Sequence, residues 1–124
     1  MIFLDTNIVI WAFRGETHLL SGKVIHAIEN NDLYISPMVK LELQYLYEIK
    51  RVKMTPQIVL DFLYKAIGLV VHDLSFDKMI TTSLDVRWTR DPFDRIITSH
   101  AQTLDSVLLT KDEVIRAHYK KAVW

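Results

Sequence analysis

The stretch Met1–Trp11, MIFLDTNIVIW, decides how the rest of the chain is read. Its first four residues are an apolar run, rich enough for a short buried strand. The run stops at Asp5. Thr6 and Asn7 follow, and TNIVIWAF suits a helix that begins at Thr6. A buried strand that ends on an acid and passes directly into a helix is one unit of a strand–helix alternation.

The alternation continues down the chain. Ser21 opens SGKVIHAIENN, where Val24, Ile25 and Ile28 have helical spacing before an Asn-Asn-Asp stop. DLYIS reads as a second strand. Pro37 behind Ser36 is a first-turn proline after an N-cap serine, and a helix runs on through MVKLELQYLYEIK. Thr55-Pro56 repeats that signal for QIVLDFLYKAI, which Gly68 ends. LVVHDL is a third strand, and Ser75 starts SFDKMITTSL. Asp91-Pro92 starts the helix of RDPFDRIITSHA, Arg90 to Ala101. SVLLT is a fourth strand, KDEVIRAHY a last helix and AVW a short terminal strand. Strand and helix in this order predict an α/β domain with a mainly parallel sheet. The consecutive helices near Met38–Ile67 and Ser75–Gln102 form two hairpin-like insertions that pack on the sheet faces.

Composition sets the bounds. A chain of 124 residues predicts one domain over 1–124, with a core that needs no staples. There are no cysteines, which excludes disulfides, thiolate zinc sites and a cysteine nucleophile. The 15 basic and 15 acidic residues balance, so charge alone does not advertise a nucleic-acid binder. The N-terminus carries Asp5 and no basic segment, unlike a signal peptide. No apolar stretch approaches the roughly 20 residues that span a bilayer. The expectation is a soluble cytoplasmic protein without a membrane partner.

In open parallel sheets, sites form outside the carboxyl ends of the strands. Five acids fall at such places. Asp5 ends the first strand. Glu42 lies in the early helix after the second. Asp91 and Asp94 open the helix before the fourth strand, and Asp112 follows Thr110 at the end of that strand. Carboxylates converging on one rim repel and would take up protons unless a cation joined them. Oxygen donors of this kind suit Mg²⁺ or Mn²⁺. Each acid also has a local reading. Asp5 caps TNIVIW, Asp91 before Pro92 is an N-cap, and Asp94 favours the dipole of the same helix. TKDE, Thr110 to Glu113, fits a capping box with Asp112 in its first turn. Glu42 fits such a reading only as a partly exposed position on the helix stripe, because it sits between Leu41 and Leu43 on a largely apolar helix. A buried carboxylate there needs a partner or a metal.

Other constellations are poorer. His18, His26, His72, His100 and His118 lack zinc-ligand spacing and read as surface or core-edge residues. There is no Gly-rich phosphate loop and no serine elbow. A receiver domain has similar size and an acidic pocket, but its acidic pair after the first strand is not evident here. Three modest basic groups, Lys50-Arg51-Lys53, Arg87-Arg90-Arg95 and Lys111-Arg116-Lys120-Lys121, are mostly solvated faces, some of which could track a phosphate backbone.

MIFLDTNIVIW, ISPMVKLELQYL, DPFDRIITSHA and VLLTKDEVI together resemble the PIN-domain family in order and spacing, over nearly the whole chain. The DPFDR wording resembles one bacterial subgroup of VapC-type toxins from toxin–antitoxin pairs. The resemblance implies a three-layer α/β/α sandwich and a ribonuclease that uses one or two Mg²⁺ or Mn²⁺ ions. The family's four acids fall on Asp5, Glu42, Asp94 and Asp112 as catalytic and metal-binding residues. Asp91 belongs to the subgroup's wording and, with Thr6, Asn7 and Thr110, supports the site. TSHA departs from the small apolar residues usual after the third acid, which should alter helix packing rather than chemistry. Arg90 or Arg95 could hold the substrate backbone. The implied partners are an RNA substrate, a cognate antitoxin whose tail covers the acids, and a second copy in a homodimer. Trp11, Phe13, Tyr45, Tyr47 and Trp124 include candidates for those surfaces, with core packing the expected fate of most. The rival reading is a PIN-like module that binds RNA or protein without cleaving.

Overall fold

The computed structural model describes residues 1–124. Five short strands form one sheet: β1 (Ile2–Leu4), β2 (Leu33–Ile35), β3 (Val70–Val71), β4 (Val107–Leu109) and β5 (Ala122–Val123). Every neighbouring pair is parallel, and the strand order is β3-β2-β1-β4-β5. Helices flank this sheet, as the alternating sequence predicts. They are α1 (Thr6–Arg14), α2 (Gly22–Asn30), α3 (Pro37–Glu48), α4 (Pro56–Ile67), α5 (Phe76–Ser83), α6 (Pro92–Thr103) and α7 (Glu113–His118). A single 3₁₀ turn, Thr17–Leu19, precedes α2. No helix is long and apolar enough to cross a membrane.

Local chemistry starts and stops these helices. The hydroxyls of Ser21, Ser36, Thr55 and Ser75 each accept a backbone N–H of the helix that follows, and Pro37 and Pro56 occupy first-turn positions. Gly68 closes α4 at φ 71°, where a side chain would be strained.

The sheet is hydrophobic on both faces, as parallel sheets must be. Phe3 is 1% exposed and Leu4 is fully buried. Phe3 meets Tyr34, His72 and His100, with ring centroids 6.0, 5.6 and 4.8 Å away. This face therefore lies under α6. The two helical insertions are real: α3 packs against α4, and α5 against α6. They also meet each other through α3 and α6. That contact places Glu42 and Asp94 on neighbouring helices.

One histidine corrects the sequence reading. His18, His26 and His118 are exposed, but His100 is fully buried rather than at a core edge. Its Nε2 lies 2.9 Å from Nδ1 of the half-buried His72, and its own Nδ1 has no partner. A buried lone pair costs less than a buried N–H without an acceptor. Hence Nε2–H of His100 donates to His72, and Nδ1 is the bare nitrogen. Burial first, and His72 second, lowers the His100 pKa to about 4. The residue is a neutral polar filler. The departure at TSHA thus acts on packing: Ser99 turns its hydroxyl back to the Arg95 carbonyl at 2.6 Å.

Candidate acidic centre

The strand order explains the site. From β1 the chain moves to one side through β2 and β3, then crosses to the other side for β4 and β5. The switch lies between β1 and β4, where open α/β sheets bind ligands. Asp5 sits at the end of β1 and Thr110 at the end of β4. The Asp5 N–H donates to the Leu109 carbonyl at 2.9 Å, which locks the two strand ends together.

From there a continuous polar chain links three segments. Asp5 Oδ2 accepts the Thr110 hydroxyl at 2.7 Å, and Asp5 Oδ1 accepts the Thr6 N–H at 2.8 Å. The Thr6 hydroxyl donates to Glu42 Oε1. Thr110 Oγ1 accepts the Asp112 N–H at 3.0 Å, while Asp112 Oδ1 caps α7 through the Ile115 N–H at 2.9 Å. Thr110 is therefore not the N-cap and there is no capping box; Asp112 is the N-cap, and Thr110 is the bridge between Asp5 and Asp112. The reason is position. Thr110 still belongs to the buried end of the sheet, with its N–H bonded to the Val123 carbonyl, so the helix can start only two residues later.

The opening of α6 separates its two acids. Asp91 is exposed, and its Oδ1 accepts the N–H groups of Phe93 at 2.8 Å and Asp94 at 3.2 Å. The carboxylate of Asp94 is half-buried and has no hydrogen-bond donor of its own. Asp5, Asp91 and Asp112 thus cap three helices whose N-termini face one region, and helix N-termini favour negative charge.

That help is insufficient. The pKa of Asp94 is raised to about 7, by burial first and then by Asp5, Asp91, Asp112 and Glu42. Asp5 is raised chiefly by burial, opposed by its bonds to Thr110 and Thr6 and reinforced by Asp112 and Asp91. Glu42 is raised by burial, opposed by Thr6 and reinforced by Asp5 and Asp91. The five acids feel one another, so the fold brings all of them to one place. None of them has a Lys or Arg partner: the ion pairs are Arg14–Glu16, Arg87–Asp85 and Lys121–Asp105.

Such a set, all oxygen donors, mutually repelling and without a protein cation, fits a hard divalent ion. As the side chains stand, no three of them are arranged to grip an ion. The residues able to hold an ion are Asp5, Glu42, Asp94 and Asp112, with Asp91 at the rim. A surface hollow of about 550 Å³ lies on α3 and α4 around Lys40 and Gln44 and contains none of these acids.

The remaining candidate residues divide. Thr6 and Thr110 are buried within the network, and Asn7 is exposed beside it. Arg90 is exposed and bonded to the Arg87 carbonyl at 2.8 Å. Arg95 is tied to the Ser83 carbonyl at 3.0 Å, so it braces α5 against α6. Tyr45 and Tyr47 are exposed, whereas Trp11, Phe13 and Trp124 pack against the core. The Thr6–Glu42 contact carries no local signal in the sequence. Lys111, one of the basic residues grouped near the C-terminus in the sequence, is exposed between Thr110 and Asp112.

Removing the bridge has a defined effect. Thr110→Val keeps the shape but leaves Asp5 Oδ2 and the Asp112 N–H without partners. The expected cost is about 1–3 kcal/mol of stability, read from a denaturant midpoint. Thr110→Ser should restore most of it. Equal stability of the Val variant and the parent would contradict the bridging role.

Comparison with known proteins agrees with the geometry. No curated protein matches the chain. Solved structures share its fold, three of them as follows. VapBC2 from Rickettsia felis, bound to a DNA fragment from its promoter, is 24% identical with a TM-score of 0.72, over 100% of this chain and 98% of that one. A toxin–antitoxin complex from Klebsiella pneumoniae is 19% identical with a TM-score of 0.66, over 100% and 97%. VapBC-1 from nontypeable Haemophilus influenzae is 18% identical with a TM-score of 0.65, over 100% and 96%. The PIN domain model matches residues 2–121, so the chain belongs to the PIN domain family.

Proposed function

We propose that this protein is a metal-dependent ribonuclease, the toxin of a toxin–antitoxin pair, of the subgroup whose wording is DPFDR. The observation that carries the reading is the set of acids gathered at the switch point of the sheet with no Lys or Arg ion-paired to any of them. Family membership supports it, since PIN nucleases generally use divalent metal ions. Asp5, Glu42, Asp94 and Asp112 hold one or two Mg²⁺ or Mn²⁺ ions. A bound divalent ion supplies a water acidified towards neutral pH and compensation for charge on the phosphoryl oxygens. Thr110 and the Thr6 N–H hold the Asp5 carboxylate in one orientation, and the Thr6 hydroxyl does the same for Glu42. Asp94, which alone of the four accepts no hydrogen bond, is the group placed to take the proton of the attacking water. Asn7 contacts water or phosphate at the rim, and Arg90 holds the substrate backbone. Arg95, tied to Ser83, braces the helix that carries Asp94.

The partner reading follows from the solved structures, which are toxin–antitoxin complexes. A cognate antitoxin tail covers the acids, and two copies form a homodimer. Tyr45 and Tyr47, exposed on α3, offer surface for such contacts.

One observation favours the rival reading, a module that binds RNA or protein without cleaving: no three acids are yet arranged around an ion. The test is single-stranded RNA cleavage with Mg²⁺, then with chelator. Cleavage that stops with chelator and returns with metal is the expected result. No cleavage, together with no heat of Mg²⁺ binding at millimolar concentration, would establish the silent module.

A further inference from the structure

Beside the acids stands a second group that the reading above does not use. Lys111 lies between Thr110 and Asp112, at the exit of β4. Its ammonium sits over two indoles, 5.7 Å from the ring centre of Trp11 and 5.5 Å from that of Trp124. The two rings are 6.1 Å apart and inclined by 60°. Trp11 comes from α1, four residues after Asn7, so both lie on one side of that helix. Trp124 follows β5, whose Val123 carbonyl accepts the Thr110 N–H at 3.0 Å. Three elements thus deliver one lysine and two tryptophans to the border of the acidic centre.

The lysine is next to an acid in sequence, yet it forms no ion pair. It is exposed, and the indoles are half-buried. The ring faces hold the ammonium in place without neutralising it. A fixed, unpaired cation beside aromatic surface is what a single-stranded nucleic acid uses: phosphate on the cation, a base on the ring.

We infer that Lys111, Trp11 and Trp124 form a nucleotide subsite that holds the RNA strand beside the bond to be cut. This rests on the ribonuclease reading of the acids and adds the residues that position the strand. Lys111 contacts a phosphate next to the scissile one. A flanking base lies against the exposed part of an indole, which gives the site a preference for unpaired RNA.

The test measures binding apart from cleavage. Labelled single-stranded RNA of about 12 nucleotides is titrated by fluorescence anisotropy in Mg²⁺, with Asp94→Asn as the parent so that the strand stays whole. Lys111→Met keeps the stem against the rings and removes the charge. It should weaken binding about five- to tenfold and reduce the salt slope by about 0.7. Lys111→Arg should stay within about twofold. Trp124→Ala should weaken binding about tenfold, with the melting curve of each variant checking the fold. Unchanged affinity in both Lys111→Met and Trp124→Ala would overturn the subsite. So would a parent that binds no RNA, including one whose tryptophan fluorescence responds only to a protein partner. Cleavage by the unmodified protein is assayed separately. An RNA bound through Lys111 and Trp124 but never cut would support the subsite and refute the nuclease.

Discussion

Asp94→Asn should abolish RNA cleavage, by at least about 10²-fold, while leaving the protein folded and no less stable. The substitution is nearly isosteric. Helix α6 keeps its cap because Asp91, not Asp94, accepts the first N–H groups. What is lost is one charge in a group of five, at the position where burial and four neighbouring acids already hold the pKa near 7. Removing that charge relieves repulsion, so the melting temperature should hold or rise. Removing it also deletes an ion ligand and the proton acceptor, so activity should vanish. A variant that merely misfolds would lose both. Asp91→Asn provides the contrast. Asn caps helices as well as Asp, and the residue lies at the exposed rim, so cleavage should fall less than about tenfold. Full activity of Asp94→Asn, or equal losses in the two variants, would remove Asp94 from its assigned role.

The same acids set a pH dependence of unusual sign. Most proteins gain stability from paired carboxylates as pH rises out of the acid range. Here the folded pKa of Asp94 is raised from the usual 3.8 to about 7, and those of Asp5 and Glu42 are also raised. Between these values the folded protein binds a proton that the unfolded chain has released. Stability from Asp94 is therefore present at low pH and lost as pH climbs from about 4 to about 7. At 1.36 kcal/mol per unit the ceiling is about 4 kcal/mol, less for a half-buried group. Thermal melts in chelator should show this decline, and Asp94→Asn should flatten it. Above pH 7 the Asp94 carboxylate is charged and ready to bind a cation. Mg²⁺ at about 100 times its dissociation constant should return about 2.7 kcal/mol, on the order of 10 °C. At pH 5 it should return much less, because protons compete for the same oxygens. A melting temperature that ignores Mg²⁺ at pH 8 would contradict the metal assignment.

Much of this architecture is legible in the chain itself. The caps at Ser21, Ser36, Thr55, Ser75 and Asp91 and the glycine at Gly68 are signals between residues a few positions apart. A helix start depends on such neighbours and little else. Short apolar runs between those helices mark five strands, and their alternation with helices requires a parallel sheet. The acids stand out because they fall at strand ends and helix starts in a recognisable order.

The sequence by itself therefore determined which segments are strand and helix, that the sheet is parallel, and which acids are candidates. Only the tertiary structure decided what those residues do to one another. Strand order placed Thr110 beside Asp5, 105 residues away, and made it a bridge instead of a cap. Packing of α3 beside α1 gave Glu42 the Thr6 hydroxyl. Burial under α6 turned His100 into a neutral core residue, and the position of β5 brought Trp124 to Lys111. Local signals are short because backbone conformation responds to adjacent residues. Pairings of distant residues depend on which strand lies beside which, and that is settled by packing the whole core at once.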